Sequence, residues 1–277
     1  YLVPAAAADG ERGEWETEHV DRWRDLYEGA YADAPASEDR SFNTSSWNSS
    51  YTGAALPPAE MREWLDRTVE AILETRPGRV LELGCGLGLL LFRIAPQCSE
   101  YVGADFSQAA LDYVQRNLGP LASRVRLERR AAHDLAGLPE GRFDTIVLNS
   151  VVQYFPGIEY LLAVLEGAAR LLAPGGRVFV GDVRSLPLLR AFHASVLLAR
   201  SPADESAAHL RQRVHQQMNQ DQELVVSPAF FSALRGRLPR LRTVRIEPKR
   251  GRYDNELSRF RYDVVLGFDE DAAEPEP

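Results

Sequence analysis

The run Val80-Leu81-Glu82-Leu83-Gly84-Cys85-Gly86-Leu87-Gly88 decides how this chain is read. Residues 80–83 are apolar enough for a buried parallel strand, and they run straight into a turn with glycine at every second position. A helical pattern follows at 89–95. Glycine has no Cβ, so such a turn lets the backbone lie against a ligand and take positive φ. Asp105 ends the next strand pattern, 21 positions after Gly84, where a nucleotide-binding sheet sets a carboxylate against ribose hydroxyls. The spacing then separates the possible nucleotides. A dinucleotide fingerprint needs a third glycine where Leu89 stands, and a phosphate-cradling loop needs a Gly-Lys-Ser/Thr that is absent. Glu82, two positions before the loop, suits a cationic ligand better than a pyrophosphate. The loop therefore reads as a site for a nucleoside with positive charge and no phosphate.

Outward from the loop, strand patterns at 80–83, 101–104, 125–128, 145–148 and 178–180 alternate with helical patterns at 89–95, 108–118 and 158–172. This alternation predicts βαβ units and a parallel sheet. Ala173-Pro174-Gly175-Gly176 reads as the stop and turn after the last of these helices. Helices at 186–198 and 207–218 interrupt the alternation as an insertion of about 184–226, and a short helix is expected at 228–235. Residues 241–247 and 260–268 read as two last strands, antiparallel to each other and joined by a polar connector.

Before the sheet, 1–18 lacks steady periodicity and reads as a linker, and a helix is expected at 19–31 from Val20, Trp23, Leu26, Tyr27 and Tyr31. A loop with Phe42, Trp47 and Tyr51 leads to a second helix at 59–74 behind Pro57 and Pro58, so 19–74 forms a helical lid. The core is then 75–268, with an acidic linker tail at 269–277.

Composition sets the outer bounds. The 277 residues are 45% hydrophobic and 26% charged, which fits a folded domain and excludes a disordered or fibrous chain. The net charge of −8 argues against nucleic acid as a partner, and no apolar run is long enough to span a membrane. Cys85 and Cys98 cannot make a disulfide framework or a metal site, so no metal and a cytoplasmic location are expected. The only methionines are Met61 and Met218, and a chain opening at Tyr1 reads as a piece of something larger.

Glu82-Leu83-Gly84-Cys85-Gly86-Leu87-Gly88, the Asp105 acid and the element order resemble the class I S-adenosylmethionine-dependent methyltransferases. The resemblance implies a Rossmann-like, seven-stranded, mostly parallel sheet. It also implies that Glu82, Gly84, Gly86 and Gly88 line S-adenosylmethionine, that Asp105 takes the ribose hydroxyls and that Phe106 flanks the adenine. His133 and Asp134 would contact the adenine amine, and Asn149 and Ser150 would stand where the site opens toward substrate. A narrower resemblance spans nearly the whole chain. Trp47-Asn48-Ser49-Ser50-Tyr51-Thr52-Gly53, Met61-Arg62-Glu63-Trp64, Asn149-Ser150-Val151-Val152-Gln153-Tyr154-Phe155 and Asp254-Asn255-Glu256-Leu257 are similar to methyltransferase domains embedded in polyketide and non-ribosomal peptide synthases. This implies neighbouring synthase domains and a substrate tethered to the phosphopantetheine arm of an acyl carrier protein.

Methyl transfer from a sulfonium is an in-line displacement, and an alcohol needs a base to take its proton as attack proceeds. His19 lies in the N-terminal helix, His209 and His215 lie in a polar, Gln-rich helix that reads as a solvated face, and His133 is absorbed by the cofactor. His193, on the first inserted helix, is the candidate base, and Glu256 is its expected carboxylate partner, with Asp182 as an alternative. Trp47, Tyr51, Gln153 and Tyr154 are expected at the substrate or in the lid. That dyad favours O-methylation of a hydroxyl or enol on a polyketide intermediate. N-methylation of an aminoacyl group is the alternative, and a pseudo-enzyme that binds the cofactor or docks a carrier is a third reading.

Overall fold

The computed structural model describes residues 9–32 (side chains from Trp15), 39–45 and 47–269; parts of the expected linkers, 1–8 and 270–277, lie outside them. Seven strands form one sheet in the order β3-β2-β1-β4-β5-β7-β6. They are β1 Arg79–Leu83, β2 Glu100–Asp105, β3 Val125–Arg129, β4 Phe143–Asn149, β5 Leu172–Arg184, β6 Leu241–Pro248 and β7 Arg261–Phe268. The first five pair in parallel, and β7 is antiparallel to both β5 and β6. This is the expected α/β sheet.

Period-two burial explains its two faces. Leu81 and Leu83, Ile146 and Leu148, and Val178 and Val180 enter one core with α5 (Ile158–Leu171) and α8 (Pro228–Ala233). Their neighbours Val80, Val147 and Phe179 face the opposite core, built on α2 (Pro58–Leu73), α3 (Leu91–Ile94) and α4 (Gln108–Asn117). Pro58 starts α2, and Met61, Trp64, Leu65, Val69 and Ile72 bury its sheet-facing stripe. Among the described residues, no helix is long and apolar enough to cross a membrane.

Four expectations need correction. The first helix, α1, runs from Asp9 to Ala32, so 9–18 is helical and continues the helix expected from residue 19. Helix α3 is shorter than 89–95, because the turn after Gly88 occupies its start and Pro96 converts its end to a 3-10 turn at Ala95–Gln97. Strand β5 takes in Ala173-Pro174-Gly175-Gly176: α5 passes directly into extended backbone at Leu172, and these four residues, with Gly175 at φ +75°, lie between the Phe143–Leu172 and Thr145–Arg177 pairs with β4. The connector before β7 contains a short helix, α9 Glu256–Phe260, closed by a capping box. Asn255 Oδ1 accepts from the Leu257 and Ser258 amides, and Ser258 Oγ accepts from the Asn255 amide.

The loop glycines are required for two different reasons. A Cβ on Gly88 (φ +80°) would stand 2.8 Å from Phe92 Cε2 and 3.1 Å from a Val114 methyl, so this glycine lets α3 and α4 pack together. Gly88→Ala is expected to lose about 2 kcal/mol in urea unfolding, from a positive φ and overpacking together. A variant as stable as the parent would show that this close approach is dispensable. Gly86 (φ +48°) instead meets the Tyr31 hydroxyl of α1, 3.1 Å from its would-be Cβ, so α1 roofs the loop.

Candidate active site

A cavity of about 600 Å³ opens at the C-terminal ends of β1, β2, β4 and β5. This is where an open α/β sheet places its ligands. Its roof is aromatic. Trp23, Tyr27 and Tyr31 recur every fourth residue along α1 and face inward, and Tyr154 packs on Trp23 (4.6 Å between centroids) and Tyr27 (5.1 Å). The Ala109 amide donates to Glu28 Oε1 (3.2 Å), which fixes α1 over the start of α4. Trp47 closes the far side, packed on Trp64 at 4.6 Å.

At the glycine end, the Gly84 and Cys85 amides both donate to the Ala104 carbonyl, which locks the turn against β2. Asp105 is buried and accepts from the Gly86 amide (2.8 Å) and the Ser107 amide (2.9 Å). Burial outweighs those bonds and pushes its carboxyl up to about 6. Glu82 is buried with a single hydrogen bond, accepted from the Tyr101 hydroxyl at 2.8 Å. Burial, with Asp105 adding to it, pushes Glu82 up to about 8. Two acids on one wall with no cation against them among the described residues suit a ligand that brings its own positive charge.

At the other end, β5 carries a bulge between Val180 and Val183, and Asp182 sits in it with φ +63° and no exposure. Its carboxylate accepts from Trp64 Nε1 (3.2 Å) and Ser150 Oγ (2.8 Å) and pairs with Arg261 and, at 3.9 Å, Lys249. Ser150 and Arg261 line the cavity. Beyond the bulge, Arg184 grips Asp221 with both guanidinium nitrogens (2.9 and 2.7 Å). The Val226 amide donates to the Arg184 carbonyl, and Ser185 and Val226 form a parallel bridge. Together these lay the segment after α7 (Ala207–Gln220) alongside the end of β5. His193, on α6 (Leu189–Arg200), meets Asp221 Oδ2 through Nε2 at 3.0 Å. Burial pushes the Asp221 carboxyl up, and the Arg184 contacts overcome this and hold it below the usual range.

Of the residues singled out from sequence, Glu82, Gly84, Gly86, Asp105, Phe106, Trp47, Asn149, Ser150, Gln153, Tyr154, His193 and Glu256 all line this one cavity. Four others do not. Gly88 packs helices, as described above. Tyr51 turns away and pairs its hydroxyl with Ser195 Oγ (2.8 Å). His133 binds the Tyr160 hydroxyl through Nδ1 (2.6 Å) in a neighbouring groove, and Asp134 lines neither space; Arg130, Ala131 and Ala132 face the cavity from that loop instead.

The expected His193–Glu256 dyad is not formed. One oxygen of Glu256 accepts from the Ser50 amide, the other is buried on the cavity wall without a partner, and the carboxylate at His193 is Asp221. Asp182 is committed to its own cations. Sequence reasoning missed Asp221 and Arg184, because their pairing depends on how the insertion folds back over the sheet edge. Among the described residues, no cluster of metal-ligating side chains occurs.

The family described as a methyltransferase domain matches residues 81–178, from β1 into β5. Chondramide synthase cmdD of Chondromyces crocatus is 49% identical over 96% of this chain, which covers 7% of that protein. The nonribosomal peptide synthetase asqK of Emericella nidulans is 37% identical over 96% of this chain and 11% of its own length. The chain thus spans a small fraction of the curated relatives it matches. In fold, it is similar to the N-methyltransferase NodS of Bradyrhizobium japonicum in complex with S-adenosylhomocysteine. The TM-score is 0.52 and the identity 14%, over 80% of this chain and all of that one.

Proposed function

The chain belongs to the class I S-adenosylmethionine-dependent methyltransferases, as a domain of the kind carried within large synthases, and on that premise we propose that it methylates the amino group of an aminoacyl unit tethered to a carrier domain. The observation that carries the choice of nitrogen is kinship along nearly the whole chain with proteins named nonribosomal peptide synthetases. The case for a hydroxyl rested on a His193–Glu256 pair, and that pair is not formed: Glu256 accepts from the Ser50 amide and His193 meets Asp221.

The residues present fit the cofactor. Gly84 and Gly86 line the cavity beside Asp105 and Phe106, so backbone without side chains faces the space, and Asp105 and Phe106 would take the ribose hydroxyls and flank the adenine. Glu82 supplies a buried carboxyl that ionises when a cationic group is placed against it. When bound, S-adenosylmethionine supplies an electrophilic methyl on a sulfonium. Trp23, Tyr27, Tyr31 and Tyr154 exclude water from that region. The unpartnered Glu256 oxygen, buried on the same wall, accepts an N–H from the substrate and holds its nitrogen. His193 takes the proton that the nucleophile must lose.

The test supplies S-adenosylmethionine with carrier proteins bearing either an aminoacyl or a β-hydroxyacyl group and weighs the products. The expected result is one methyl on the aminoacyl carrier and none on the other. A methyl on the hydroxyacyl carrier alone would restore the oxygen reading, and none on either would favour a binding-only domain.

A further inference from the structure

From the contacts around His193 we infer that Asp221 is the positioning residue for this base, clamped by Arg184, and that it fixes the imidazole with its proton on Nε2 and its free lone pair on Nδ1. The inference rests on the proposed role of His193 as proton acceptor. Its ground is geometric. An ionised carboxylate only accepts, so the 3.0 Å contact between Nε2 and Asp221 Oδ2 requires Nε2–H to donate. Nδ1 makes no hydrogen bond with the described residues, and the ring lies on the cavity wall.

The orientation of Asp221 is set from three sides. Arg184 Nη1 and Nη2 engage Oδ1 and Oδ2 in a fork, and the Glu223 amide donates to Oδ1 at 3.1 Å. Arg184 reaches Glu223 as well, at 3.0 Å, so its charge is shared between two carboxylates and does not face the imidazole unopposed. Phe192 covers the Arg184 guanidinium at 5.3 Å and packs edge-on against Phe260 at 5.4 Å, which keeps this side of the cavity apolar around the ion pairs. In that setting the substrate N–H bond breaks with its electron pair left on nitrogen, Nδ1 takes the proton, and Asp221 stabilises the resulting imidazolium across Nε2–H. A carboxylate in this position holds both the tautomer and the ring plane of a catalytic histidine.

The experiment pairs an activity-free readout with a kinetic one. Nitrogen-15 spectra of the imidazoles, assigned with His193→Ala, are expected to show His193 protonated on Nε2 in the parent. In Asp221→Asn, whose amide can donate to Nε2, the proton moves to Nδ1. Turnover with an aminoacyl carrier is expected to fall by roughly a hundredfold in kcat, with the KM values for both substrates within about twofold. The double variant His193→Ala/Asp221→Asn should be no slower than His193→Ala alone, because Asp221 acts only through the ring. Cofactor affinity checks that Asp221→Asn is folded. An Nδ1-protonated parent would overturn the inference, as would losses that add in the double variant. If the spectra are as expected but His193→Ala retains full turnover, the proton-acceptor role of His193 fails and the Asp221 contact stands as geometry alone.

Discussion

Glu82→Gln raises the thermal midpoint of the ligand-free protein while weakening S-adenosylmethionine binding by at least about tenfold. Burial pushes the Glu82 carboxyl up to about 8, so its ionised form is less comfortable in the fold than in the unfolded chain, where 4.5 is the reference value. The sign follows from that inequality. The folded state holds the proton more tightly, so stability is lost as pH rises from 4.5 toward 8. At pH 7 the cost is about 3 kcal/mol, and for a chain of this length its removal raises the midpoint by roughly 5–10 °C. Glutamine keeps the acceptor for the Tyr101 hydroxyl, so little is lost in exchange. The opposite holds for the liganded protein, where the negative charge faces a cation and its ionised form is favoured. Melting curves from pH 5 to 8 check the first half: the advantage of Glu82→Gln should be smallest at pH 5 and grow with pH. Calorimetry checks the second: cofactor binding near neutrality should release a proton from the parent and none from the variant. Parallel melting curves at every pH would sink the account of Glu82.

Much of this wall was legible in the sequence because its chemistry is local. Gly84, Gly86 and Asp105 are fixed by the end of one strand, the turn after it and the end of the next strand, and short-range rules place all three. Gly88 belongs to the same run but serves packing, because a glycine pattern does not say which neighbour the missing Cβ spares. His133 and Asp134 were assigned by position after β3, and the turn there presents Ala131 and Ala132 to the cavity instead. The start of α1 was hidden because residues 1–18 show no steady apolar period, and Trp15 is half exposed. The partner of His193 was misassigned for a different reason. Glu256 and Asp221 both reach the cavity, and only the packing of α6 and α7 against the end of β5 decides which one meets the ring.

The second large effect is expected at Asp182, whose charge is treated by the fold in the opposite way. Burial raises its carboxyl, but Arg261, Lys249 and the hydrogen bonds from Ser150 and Trp64 outweigh burial and hold it below the usual carboxylate range. Asp182→Ala removes all of these at once. It strands Arg261 in a partly buried position and leaves Lys249 with Asp263 (3.1 Å) and Thr68 (2.9 Å). Losing one partner of a buried ion pair costs about 3–5 kcal/mol, and alanine at φ +63° adds to this. Asp182→Asn tolerates the left-handed backbone and retains an acceptor for Trp64 and Ser150, so its loss should be smaller. Urea unfolding followed by tryptophan fluorescence measures both, and the pH dependence separates Asp182 from Glu82. With its folded value depressed, Asp182 is ionised in both the folded and the unfolded chain above about pH 5, so the gap between parent and Asp182→Asn should stay constant from pH 5 to 8. A gap that grew or shrank steadily across that range would mean that Asp182 is not held ionised by Arg261 and Lys249. The two buried carboxylates thus divide the site. Asp182 has its cations in the chain and ties β5 to the substrate end, whereas Glu82 has none and is stabilised when a cationic ligand arrives.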